Sequence, residues 1–245
     1  MPTINLSGKV ALVTGGARRI GRAICRELAS ADAAVALTWY NSSREALELA
    51  EELQHLGVGA LAVECDVRSE DSVQRAVELV TATLGRLDIL VNNAAVFEAQ
   101  ELADLSVNAW DRVFETNTRG PFLMARAALP HLKAAQGRIV NIGSLGGLRP
   151  WATHAHYCAS KAALHALTQS MARAFAPEIS VNCVAPGFID FAENRDALAA
   201  RLAERTPLQR NGSAEDVAAA VRFFAAGPAF VTGQILAVDG GLGLV

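Results

Sequence analysis

Tyr157 and Lys161 stand four residues apart in the stretch YCASK. On a helix that spacing puts both side chains on one face. A lysine ammonium beside a phenol favours the phenolate, lowering a pKa that is about 10 in free tyrosine. A phenol so tuned can hand a proton to an oxygen that is gaining charge near neutral pH. Ser144, thirteen residues before Tyr157, can hydrogen-bond the same oxygen. Asn117, in FETNTRG, can anchor a water that relays protons to Lys161. This set can protonate an alkoxide as it develops, and elsewhere the sequence has a place where a nucleotide phosphate could sit.

That place is TGGARRIG, Thr14 to Gly21, between the apolar run KVALV and a helical stretch. Gly15 and Gly16 permit positive φ and close approach of backbone to phosphate. Gly21 lets the new helix pack close to the strand, and the N–H groups of Ile20 and its neighbours at the helix start can face an anion. The turn lacks the G-x-G-x-x-G spacing. It nearly matches a P-loop, but Arg22 and Ala23 follow Gly21 where that loop needs Lys and Ser or Thr. NTP hydrolysis is therefore disfavoured. An NAD site has an acid at the end of the second strand, roughly 20 residues on, for the ribose 2′-hydroxyl. Here Tyr40, Asn41, Ser42 and Ser43 stand there, with no acid before Glu45. Hydroxyls and amides can donate to a 2′-phosphate, and Arg18 and Arg19 supply its countercharge. The preferred cofactor is thus NADP(H). Arg19 can alternatively fill the space of a missing glycine and touch the pyrophosphate or the substrate. Asp66-Val67, after the third strand, can meet the adenine. Asn93, Ala94 and Ala95, after the fourth, make a small-residue turn on which a ribose or ring can lie.

The elements that must position these residues are short apolar runs alternating with helical ones. Strands are predicted at 9–14, 33–39, 59–65, 87–93, 137–143, 179–185 and 234–239. Helices are predicted at about 20–30, 43–57 and 69–84, with a long one beginning near Ser106. The runs are continuously apolar, as strands buried on both faces should be. Strand–helix alternation gives a doubly wound α/β fold with a seven-stranded parallel sheet, read as a single domain over 1–245. Its ligands bind beyond the carboxyl ends of the strands, where the residues above fall.

Composition agrees. The 245 residues are 51% hydrophobic and 19% charged, enough for a large core. A net charge of −3 gives no case for nucleic acid or an anionic membrane. No apolar run approaches a membrane span, and no secretory signal is read at the N-terminus, so a cytoplasmic location is expected. Cys25, Cys65, Cys158 and Cys183 are scattered and read as buried free thiols in a reducing compartment. No metal-ligand spacing is present.

TGGARRIG, NNAA, Asn117, Ser144, Tyr157 with Lys161, Ala185-Pro186-Gly187 and the terminal VTGQILAVDGG closely resemble the short-chain dehydrogenase/reductase family over essentially the whole chain. The resemblance implies a single-domain Rossmann fold and hydride transfer between nicotinamide C4 and a carbonyl or imine carbon. It makes Tyr157 the acid/base, with Lys161 holding the nicotinamide ribose and tuning it. Ser144 would orient the substrate, Asn117 complete the relay, and Pro186, Gly187 and Ile189 lie near the carboxamide. Two branches compete. TPLQRNGSAEDVAAAV looks like the 3-oxoacyl-carrier-protein reductases. The double arginine, YNSS and the loop FIDFAEN look more like pteridine reductases, which typically carry Asp where Ser144 stands. The substrate is then a small carbonyl compound or a pterin. A catalytically inactive nucleotide sensor is a further alternative, although Tyr157 and Lys161 are both present. Trp151 and Phe97 can form opposite walls of a substrate pocket or pack as core. The long helices and the Asp239-Gly240-Gly241 turn resemble family subunit contacts, implying a homotetramer or homodimer.

Overall fold

The computed structural model describes residues 5–191 and 197–245. Its strands are β1 (Val10–Val13), β2 (Ala34–Trp39), β3 (Ala60–Glu64), β4 (Ile89–Asn92), β5 (Arg138–Ile142), β6 (Ser180–Pro186) and β7 (Ile235–Val238). Among the described residues they make one sheet of order β3-β2-β1-β4-β5-β6-β7, each neighbouring pair parallel. Its helices are α1 (Arg19–Ala29), α2 (Ser43–His55), α3 (Glu70–Leu84), α4 (Val107–Phe114), α5 (Gly120–Ala135), α6 (Ala155–Ala174), α7 (Ala197–Arg205) and α8 (Ala214–Ala226).

The alternation of side chains along each strand divides the core in two. Ala11, Val13, Val35, Leu37, Val91 and Val140 face Ile24 and Leu28 of α1, Leu49 and Leu53 of α2, and Val221 of α8. Val10, Leu12, Ala36, Leu90, Ile139 and Val181 face Val77 and Val80 of α3, Met124 and Leu132 of α5, and Met171 of α6. Strand β1 is buried along its whole length, which is why its sequence is apolar without alternation. The chain crosses from β3 at one edge back to β4 beside β1. The turns after β1 and β4 therefore diverge and leave the crevice expected at a switch point. No described helix is long and apolar enough to cross a membrane.

The long helix predicted from Ser106 starts as expected, with the Ser106 side chain accepting from Ala109 N. It is not continuous. Residues Glu115–Arg119 form a π turn, closed by Gly120 N–H donating to the Glu115 carbonyl, before α5 resumes. Pro121 supplies the physical reason. It has no N–H, so the carbonyl four residues earlier, that of Asn117, is denied its α-helical donor.

Candidate active site

Thr14 and Asn93 stitch the two diverging turns together. Asn93 Nδ2 donates to the carbonyls of Thr14 (2.9 Å) and Gly15 (3.0 Å). Thr14 Oγ1 accepts from the backbone N–H of Asn93 (2.9 Å) and Ala94 (3.0 Å). Gly15 adopts φ +61°, and its N–H donates to Thr38 Oγ1 at 3.2 Å. A Cβ on Gly21 would strike the Gly15 carbonyl oxygen and come within 2.7 Å of Asn93 Nδ2, so close helix–strand packing explains this glycine. Arg18 is the N-cap of α1 in extended conformation and makes no side-chain cap hydrogen bond. Arg19 takes φ +51°, a left-handed conformation that ordinarily favours glycine. Its guanidinium lies 5.3 Å from the ring centroid of Phe191. These features fit a dinucleotide phosphate.

The region expected to take the adenosine is more crowded than the sequence indicated. Arg18 is well exposed, yet its Nη1 lies 3.9 Å from Glu45 Oε1 in the first turn of α2. Ser42 is buried, Tyr40, Asn41 and Ser43 are exposed, and none of these positions is acidic. Asp66 is bound by Arg68 Nη2 (2.7 Å) and Nε (2.9 Å), and the guanidinium beside it holds its carboxyl below the usual range. Arg68 also lies over the Tyr40 ring at 5.4 Å and donates to its hydroxyl at 3.4 Å. Sequence reading passed over Arg68; its place two residues after Asp66 was the available signal. Val67 is buried, with Gly120 packed so tightly on it that a Cβ there would lie 3.0 Å from Val67 Cγ2.

Lys161 is buried on α6 and donates to the Ile142 carbonyl at the end of β5, at 2.8 Å. Burial pushes its pKa down to about 8. Its Nζ lies 5.8 Å from the Tyr157 ring centroid. The expected tuning of Tyr157 by Lys161 is reversed in the chain alone. Burial pushes the phenol up to about 12, opposed by the Ser144 hydroxyl. The ammonium is turned toward the Ile142 carbonyl, and desolvation of the phenolate dominates. Ser144 is buried and its Oγ accepts from Gly146 N at 3.0 Å. Asn117 is fully buried in the π turn. Its Oδ1 accepts from Val96 N at 2.8 Å, and its Nδ2 donates to Val96 O (2.9 Å) and Ser160 Oγ (3.1 Å). The side chain therefore fixes the loop after β4 to α6. Ser160, also unread in the sequence, donates to the Tyr157 carbonyl at 2.7 Å and sits one turn on from it. His165 packs behind this face. Burial and the Lys161 charge hold its pKa down to about 4.

Past β6, Gly187 donates to the Val238 carbonyl at 3.0 Å, and a Cβ there would lie 2.6 Å from Asp239 Cβ. Pro186 and Ile189 are buried, and Ile189 bridges to Gly212. Ala192, Glu193 and Asn194 of FIDFAEN lie outside the described residues. Phe97, Trp151 and Tyr157 come together in a ring cluster. Cys158 instead accepts from Trp151 N at 3.4 Å, and all four cysteines are buried and free.

Over residues 15–243 the sequence matches the protein family described as enoyl-(acyl carrier protein) reductase. It is 39% identical over 246 residues to the 3-oxoacyl-[acyl-carrier-protein] reductase FabG of Aquifex aeolicus, covering 98% of this chain and 99% of the relative. A dehydrogenase/reductase from Sinorhizobium meliloti superposes with TM-score 0.93 at 39% identity, covering 98% and 97% of the two chains. A short chain dehydrogenase from Burkholderia cenocepacia, solved in complex with NADP, superposes with TM-score 0.91 at 41% identity, covering 97% and 99%. With full-length likeness at this level, and with a sheet order and a switch-point turn of this kind, the chain belongs to the short-chain dehydrogenase/reductase family.

Proposed function

We propose that the chain is an NADPH-dependent reductase of a carbonyl compound. The observation that carries this reading is the convergence of Tyr157, Ser144 and buried Lys161 at the carboxyl ends of β4 and β5, beside an uncapped helix start behind a glycine turn. The cofactor's phosphates would rest on Gly15, Arg19, Ile20 and Gly21. Its 2′-phosphate would meet Arg18, Tyr40, Asn41, Ser42 and Ser43, and its adenine Asp66 and Val67. Its riboses would lie on Asn93, Ala94, Ala95, Tyr157 and Lys161, and its nicotinamide against Pro186, Gly187 and Ile189. Bound NADPH supplies a hydride to the carbonyl carbon. Ser144 and Tyr157 hold the carbonyl oxygen. Tyr157 protonates it as the C=O electron pair moves onto oxygen, and Lys161 with the Asn117 carbonyl returns a proton from water. The names of the relatives, carrier-protein reductases among them, support a carbonyl substrate.

The second reading is reduction of a pterin. Arg19 and the aromatic Phe97 beside Tyr157 favour it. Ser144 counts against it, because a hydroxyl is a poorer proton donor to a ring nitrogen than a carboxylic acid. We also read the protein as a homotetramer or homodimer, and its setting as reducing and cytoplasmic, the setting being supported by its four buried free thiols.

The test is NADPH and NADH consumption by the purified protein with an acetoacetyl thioester and with a dihydropterin. The expected result is thioester turnover with NADPH preferred, abolished in Tyr157→Phe while NADPH still binds. Preference for NADH would remove the role given to Arg18, and full activity in Tyr157→Phe would remove the proton donor. Turnover of the dihydropterin alone would favour the second reading.

A further inference from the structure

Four rings meet at the proposed proton donor and form a closed circuit. Phe97 stands edge-on to Tyr157, centroids 4.8 Å apart at 86°. Phe97 is stacked on His154 at 4.8 Å and 20°. His154 is edge-on to Trp151 at 5.6 Å and 87°. Trp151 returns to Tyr157 nearly parallel, at 6.4 Å and 13°. The circuit is held from outside. His154 Nδ1 is hydrogen-bonded to Thr153 Oγ1 at 2.9 Å, and Gln100 N donates to the Thr153 carbonyl at 2.8 Å, tying the Phe97 loop to the Trp151 loop. The Trp151 ring lies over Gly146, where a Cβ would be 3.3 Å from Cζ3, two residues from Ser144.

This is not core packing. Phe97 is 61% exposed, and Trp151 and His154 are half-buried. Exposed rings gathered around a reactive hydroxyl leave apolar surface in water that a ligand would cover. Burial, and after it the neighbouring His156, depress the pKa of the His154 ring and so disfavour a charge on it. The walls are thus flat and uncharged. Such faces discriminate by shape, since ring–ring contacts add to area burial by up to about tenfold in affinity per pair, which a linear acyl chain does not gain.

We propose that the substrate bears a flat, uncharged ring beside its carbonyl carbon, as in an aryl or fused-ring ketone, and that Phe97 and Trp151 select it over a linear acyl chain. This rests on the NADPH-dependent carbonyl reduction proposed above. The reaction balances as before. One hydride from NADPH forms the new C–H bond, the C=O pair becomes O–H with the Tyr157 proton, and NADPH leaves as NADP⁺ while the ketone becomes an alcohol.

The experiment compares 1-tetralone with an acetoacetyl thioester in wild type, Phe97→Ala, Trp151→Ala and Trp151→Phe. It reads kcat/KM for each, NADPH affinity as the control for a folded cofactor site, and direct binding of 1-tetralone to the NADP⁺ complex by saturation-transfer NMR. The expected result is a higher kcat/KM for 1-tetralone. Its ratio to the thioester should fall about tenfold in each alanine variant and return in Trp151→Phe, at unchanged NADPH affinity. Thioester preference in wild type, or a ratio that the alanine variants leave alone, overturns the proposal while the reductase reading stands. If neither compound is reduced but 1-tetralone binds wild type and not the alanine variants, the ring site stands and the reductase reading falls. Neither turnover nor binding overturns both.

Discussion

At Tyr157 two influences oppose each other, and burial wins. Removing the phenolate from water raises the pKa to about 12, while the Ser144 hydroxyl beside it draws it down. Lys161, itself depressed to about 8, is still cationic at neutral pH, but its ammonium faces the Ile142 carbonyl. With a pKa raised above the ordinary 10.0, Tyr157 stays protonated through neutral and mildly alkaline pH. That is the form a proton donor needs. The reverse reaction, which needs the phenolate, should therefore accelerate as pH rises. The titration can be read directly, because the chain has only two tyrosines. In Tyr40→Phe the phenolate absorbance reports Tyr157 alone. Without nucleotide its midpoint should lie well above 10.0, toward 12, and NADP⁺ should lower it if the cofactor turns Lys161 toward the phenol. A midpoint at or below the ordinary value in the nucleotide-free chain would show that burial does not set the proton affinity.

At the scale of elements, the junction between β1 and α1 depends on Gly21. Any Cβ there meets backbone, the Gly15 carbonyl oxygen, rather than a side chain that can swing away. Gly21→Ala should destabilise the fold by about 2–4 kcal/mol and weaken NADPH binding, because relief of the clash must move the turn that faces the phosphates. A denaturant midpoint and NADPH affinity both unchanged would show that the turn yields without loss. This glycine was legible in the sequence, as were the strands. GALAVEC at 59–65 contains β3 at 60–64, and the shortening of one residue at each end reflects how strand ends give way to turns. What escaped was of two kinds. The break after Phe114 was hidden because Asn117 and its neighbours read as helix by periodicity; only Pro121, which removes one donor, marked it. The start of α8 is marked in the sequence by the capping box Ser213/Asp216. Partners distant in sequence escaped altogether. Ser160 clamping Asn117, Arg68 lying over Tyr40 and Glu45 approaching Arg18 are set by packing that no spacing rule encodes. The sign of the Tyr157 shift was missed for a related reason, since a Tyr–Lys spacing shows proximity but not how much water each group loses.

At the scale of the whole molecule, the described residues leave one end of the sheet open. Among them β7 is an edge strand paired only with β6, and Leu236 on it is 40% exposed. Phe230 just before it is fully exposed, and Leu244 and Val245 just after it are mostly so. An edge with unpaired backbone groups and large apolar side chains is a template for association, and natural proteins cover such edges. A second apolar set lies on the long helices, where Val107, Trp110 and Phe122 are exposed. Two separate faces, each closed by a two-fold axis, generate a tetramer of dihedral symmetry. The protein should thus migrate at about four times the 25.8 kDa mass of one chain. Leu236→Glu with Phe230→Glu should halve that mass by opening the β7 face, while the helix face keeps pairs together. Trp110→Glu with Phe122→Glu should halve it by the other route, and combining the four should leave single chains. The proposed site of Tyr157 lies within one chain, so NADPH affinity should persist in the halved species. Wild-type protein that sediments as a monomer would show that both apolar faces are left in water, and would remove the assembly from the account of this chain.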